Sequence, residues 1–162
     1  MALRYLKILL TIFISLLGFF YATQNMVNLD AVYMFVSTIF SMGGHSAYPN
    51  SFGPAISSDF LVYLAMAVII GAEYLVGLLA AKGAWDLWQV RAAKADAFNK
   101  AKQYALLGGG MALVVWFGFF AVLGGAYFQM WQTELGSLSL EGSFQFAGSA
   151  GLATLFIHMK DE

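Results

Sequence analysis

No cysteine occurs in these 162 residues, so disulfides, thiolate metal sites and cysteine nucleophiles are excluded. Charge is nearly as scarce. Lys, Arg, Asp and Glu make up 10% of the chain, against about 25% in an average soluble domain. The eight basic and nine acidic residues almost cancel, to −1, a balance that gives a polyanion nothing to hold and argues against a nucleic-acid partner. Proline stands at only two positions, Pro49 and Pro54, so most of the chain is free to be helical. Hydrophobic residues fill the space instead, at 60%, with aromatics at 17%. A soluble fold of this size cannot hide so much apolar surface. One membrane domain over residues 1–162 is expected, with the lipid bilayer as its solvent, and the 17 glycines fit closely packed helices.

A transmembrane helix needs roughly 17–25 mostly apolar residues. Four stretches qualify: about 5–23, 60–81, 106–128 and 140–159. The first requires Lys7 to extend its ammonium to the interface. A cleaved signal peptide is its rival reading, but bulky Phe19, Phe20 and Tyr21 precede Gln24 and no A-x-A-like site is present. Between the first two spans, Val32 to Met42 is apolar yet too short to cross, and reads as an interfacial or re-entrant helix within a long first outer loop. The expected architecture is an all-α, four-transmembrane-helix bundle. Every Lys and Arg lies at the start of the chain (Arg4 and Lys7), between spans two and three, or after span four. The other two loops carry Asp30, Asp59, Glu134 and Glu141 and no basic residue. By the positive-inside rule both termini are cytoplasmic, in a bacterial inner membrane, which requires an even number of spans. Beyond span two the alanine-rich connection should continue as a helix, with Trp85 and Trp88 at headgroup level.

Lipid gives helices no hydrophobic reason to associate, so small residues and buried polar contacts must hold the bundle together. Ala67 and Gly71, Ala147 and Gly151, and the span-three glycines Gly118 and Gly125 are the expected packing positions. Leucine at Gly71 or Gly151 should then disrupt assembly more than a change at Leu75.

One residue is out of keeping with its surroundings. Glu73 is the only charged side chain between Phe60 and Ala81, and no Lys, Arg or His lies in the central part of any span. An ionised group at the bilayer centre costs roughly 2.5–3.5 kcal/mol on insertion scales. Three states can offset that cost. Glu73 can be a neutral acid bonded to a neighbouring helix, it can face a water-filled crevice and exchange protons, or it can meet a cationic group on a ligand or another subunit. His45 and His158 fall on opposite sides of the membrane and cannot share a metal, so no metal or cofactor is expected. Gly108 to Gly110 lack the lysine and strand context of a phosphate loop. Tyr127 and Trp131 fit an outer interfacial belt. No nucleophile, base and acid converge, so an enzyme is not expected.

Three stretches carry a resemblance: NLDAVYMFVSTIFSM (28–42), IIGAEYLVGLLAAKGAWDL in span two, and VVWFGFFAVLGGAYFQMWQT at the end of span three. The chain resembles a proteobacterial family of predicted small four-helix integral membrane proteins of unknown function. The resemblance implies that the intramembrane glutamate and the outer tryptophan belong to the family pattern. The chain departs from that pattern at Thr38 and Gly43, where members tend to have His and Asp. It departs again at Ala126, in place of an acid, and at Gln145, in place of an arginine.

Two functions remain. One is a non-catalytic accessory subunit of a larger inner-membrane complex, with other membrane-protein subunits as partners. The alternative is a small transporter or carrier of protons, ions or a hydrophobic ligand that uses Glu73.

Overall fold

The computed structural model describes residues 1–162, an all-helical chain without strands. The apolar runs become its long helices. α1 spans Ala2–Met26 and α3 spans Asp59–Gln89. The third run is built in pieces: a short α4 (Ala95–Lys100), then α5 (Gln103–Leu113), which continues as a π-helical segment, Val114–Tyr127. α6 (Glu134–His158) closes the chain. Ala2–Met26, Asp59–Gln89 and Ala95–Tyr127 are long and apolar enough to cross a membrane. α6 has the length, 25 residues, without the same apolarity. It begins at Glu134, before the expected start near 140, because Thr133 caps it by accepting a hydrogen bond from the Gly136 N–H at 3.1 Å. α3 runs on past Ala81 as a helix, and the short apolar stretch in the first long loop forms α2 (Leu29–Ser41).

α1 lies along α3, α3 along α5, and α6 rests against α5, its π-helical continuation and α1. Both chain ends and the α3–α5 connection meet at one end of this bundle, where all eight basic residues lie apart from any long loop; we call it the basic end. There the Arg4 guanidinium donates to the carbonyls of Arg91 and Ala93, at 3.1 and 2.6 Å. Lys7 and Lys102 both donate to the Asp161 carboxylate, at 2.7 and 2.6 Å. Both also donate to the Met159 carbonyl at the end of α6. Burial alone would raise the Asp161 carboxyl, but the bonds from Lys102 and Lys7 outweigh it and hold the group below its ordinary value.

At the opposite, loop end, α2 packs Val36 against Val62 and Met66 of α3. The connection from α2 to α3 is tied down by an Ile56 N–H to Phe40 carbonyl bond of 2.8 Å. Tyr48 adds an edge contact to Trp131 and Phe52 another to Tyr127, with centroids 5.4 and 5.1 Å apart. The two residues expected as an interfacial belt therefore also anchor the first loop.

α1 approaches α3 closely. A Cβ placed on Gly18 would lie 2.6 Å from the Glu73 carbonyl oxygen and from the Gly77 nitrogen, so only glycine admits this crossing. Ser15 Oγ donates to the Gly77 carbonyl at 2.8 Å beside it. Among the expected packing positions, Ala147 is buried, Gly125 meets Leu140 and Gly151 meets Leu113. The expectation fails for the others. Ala67 is exposed, and Gly71 and Gly118 have open space where a side chain would be. α3 is apolar all round, so its sequence does not tell which small residue faces the bundle. The inward stripe runs through Val62, Met66, Ile70, Glu73, Val76 and Ala80, and leaves Ala67 and Gly71 on the outer face.

Candidate functional site

Glu73 belongs to that inward stripe and is 1% exposed. Helical side chains lean toward the helix N-terminus, which for α3 is the loop end. Its backbone carbonyl is level with Gly18, while its carboxylate reaches Asn25, seven residues and about 10 Å further along α1. Asn25 Nδ2 donates to Oε2 at 2.8 Å. The sequence places this carboxyl at the midpoint of its span; the lean of the side chain moves it into the loop-end half of the bundle.

The second carboxylate oxygen, Oε1, takes no hydrogen bond from any side chain, yet no buried side-chain oxygen or nitrogen in the protein lacks a partner. Oε1 therefore opens onto space, and that space is a cavity of about 450 Å³ above Glu73. Every long helical unit contributes to its wall, with α2 alongside. Tyr21, Trp116 and Phe146 form a closed aromatic triad there, with centroids 5.8, 4.9 and 5.9 Å apart. Phe35 and Phe120 continue the apolar wall. Exposed Gln24, Asn28 and Leu138 lie at the rim. Next to it lies a second cavity of about 150 Å³ beneath α2, almost wholly apolar and sharing Phe35, Val36, Ile69 and Phe120 with the first. The π-helical segment supplies Trp116 and Phe120 to this wall, and such wide turns recur at functional sites.

Sequence reasoning singled out Glu73 but missed Asn25, Tyr21 and the triad. Asn25 lies beyond the expected end of span one and reads as an interfacial amide. The available signal was spacing, since Tyr21 and Asn25 are i and i+4 on one helix face. His45 and His158 play no part here; they sit in the first loop and at the end of α6.

The model of the family described as predicted small integral membrane protein (DUF2165) matches residues 3–160. The chain belongs to this family. No curated protein and no solved structure matches it. As a member of DUF2165 with several apolar helices, it is a multi-pass integral membrane protein. Its Glu73 cavity is then enclosed by a bundle whose outer surface faces lipid.

Proposed function

We propose that this DUF2165 chain is a non-catalytic binding protein of a bacterial inner membrane. It takes an amphipathic small molecule into the Glu73 cavity from the loop-end side. One observation carries the reading: a carboxylate oxygen without a partner faces a cavity of about 450 Å³ with an aromatic wall and a polar rim. Pockets of this kind, apolar with a few convergent polar groups, are the usual form of a small-molecule site. The adjoining apolar cavity supplies room for a tail. The positive-inside rule puts the basic end in the cytoplasm and the cavity toward the outer leaflet. Held ligand that then crossed the membrane would make the protein a carrier.

The test fills the cavity. Gly142 lines it, and a Cβ there would meet only the Phe146 ring edge at 3.7 Å. Gly142→Leu should therefore fold and should lose any small molecule that co-purifies with the wild-type chain, read by native mass spectrometry. Equal retention in both proteins removes the reading.

A second reading, the accessory subunit, draws on a different observation. Ala67 and Gly71 lie on the outer face of α3, in a groove of about 380 Å³ with Tyr63 and Tyr74. Gly118 lies in another groove, of about 410 Å³. Small residues unused inside a membrane bundle leave its surface open to a neighbouring helix. Partners that co-purify stoichiometrically after mild solubilisation support it, and an isolated species argues against it.

A further inference from the structure

We infer that the molecule held in the Glu73 cavity is a small organic ammonium ion with an apolar, ring-bearing body. The inference rests on the binding reading above and adds the chemistry of the occupant.

The first argument is charge. Among the side chains that line the cavity, Glu73 is the only carboxylic acid, and no Lys, Arg or His is among them. Nor does Glu73 form an ion pair anywhere in the chain; every ion pair gathers at the basic end or lies between Lys82 and Asp86. The ionised form of this acid needs a cation beside it, and the chain supplies none. The occupant can.

The second argument is the direction of the hydrogen bonds. Ser143 Oγ donates to the Leu140 carbonyl and Ser139 Oγ to the Leu135 carbonyl, both at 2.9 Å. Asn28 Nδ2 donates back to the Gln24 carbonyl at 2.8 Å, and the Asn25 amide donates to Glu73 itself. The two serine hydroxyl protons are thus committed to their own helix, whereas the Tyr21 hydroxyl and the Gln24 amide at the rim remain free. The hydroxyl oxygens keep lone pairs to offer, as does Oε1. A wall whose one ionisable side chain besides tyrosine is an acid, with no cationic group beside it, suits a donor-bearing cation and is poor for a phosphate or carboxylate.

The third argument is the aromatic triad. Ring faces attract cations, with tryptophan the strongest, and carboxylate plus aromatic ring is how organic ammonium ions are held. A bare metal ion fits poorly. Calcium takes six to eight oxygen ligands and magnesium a near-ideal octahedron, and this site has one carboxylate among five aromatic residues. The apolar cavity under α2 is continuous in its lining with the first and accepts the hydrophobic body.

The experiment uses two probes of one skeleton, phenylbutylamine and phenylbutanol. Each is titrated at neutral pH into the full chain in neutral-lipid nanodiscs, with empty nanodiscs subtracted. The amine should bind the wild type more tightly than the alcohol. Glu73→Gln, which can keep the Asn25 bond, should weaken the amine roughly tenfold or more, as expected for loss of a charge-assisted bond, and leave the alcohol unchanged. Trp116→Leu keeps the carboxyl and should weaken the amine by several-fold, so the inference is still tested if Glu73→Gln fails to fold. Amine and alcohol binding equally, with neither variant discriminating, overturns the ammonium assignment and leaves the binding reading standing. If neither probe binds, both fall.

Discussion

At the scale of single residues, glycine at position 18 and glutamate at position 73 depend on one another. The Gly18 crossing lets α1 lie against the Glu73 backbone, and that contact brings Asn25 within reach of the carboxylate. Overpacking a close contact costs roughly 1–3 kcal/mol, and here the obstacle is backbone that cannot rotate aside. Gly18→Leu is expected to lower thermal stability in detergent by at least that much, while Gly71→Leu, which enters open space, leaves the isolated chain unchanged. Scanning fluorimetry of the two variants decides; equal losses would show that the outer face of α3 is packed after all. Glu73 itself was legible because it is the one charged residue in a long apolar run. Gly18 was missed although Arg4, Lys7, Thr11, Ser15, Gly18 and Ala22 recur at i+3 and i+4 along the buried face of α1; the partner that makes a glycine necessary lies on another helix.

At the scale of elements, the basic end shows what hydropathy cannot. Lys7, Lys102 and Asp161 come from α1, the start of α5 and the residues after α6, and tie those three units together. Their side chains are 4, 4 and 7% exposed, so removing the acid leaves cations in a poorly hydrated site. Asp161→Asn should cost roughly 3 kcal/mol near neutral pH. The pH dependence follows from linkage. The native carboxyl sits below its ordinary value, so the unfolded chain binds the proton more readily. This contribution is complete above the unfolded value of about 3.9 and fades as pH falls through the lower native value. Wild type should lose stability on acidification below about pH 4, and Asp161→Asn should show a flatter acid limb in the same melts. Identical limbs would mean that Asp161 is not held as described. Helix positions followed from apolar run length, and α2 from a run too short to cross. The early start of α6 was hidden, since Glu134, Ser137, Ser139 and Glu141 read as loop until the Thr133 cap and the packing of Gly125 on Leu140 account for them.

At the scale of the molecule, the segregation of basic residues predicts sidedness. The chain has no cysteine, so a single one reports cleanly. With the basic end in the cytoplasm, Asn50→Cys should react with an impermeant maleimide in intact cells and Lys94→Cys only after permeabilisation. The reverse pattern would invert the orientation and place the cavity on the inner side. The Asn25–Glu73 bond, one residue from the end of α1, also decides how the site experiences voltage. A unit charge carried across the whole membrane gains or loses roughly 2.3 kcal/mol per 100 mV. On the proposed orientation, a cation coming to rest at the level of Asn25 would pass through only the first part of that field. Its affinity should then depend only weakly on membrane potential, so that energising the membrane would neither fill nor empty the site.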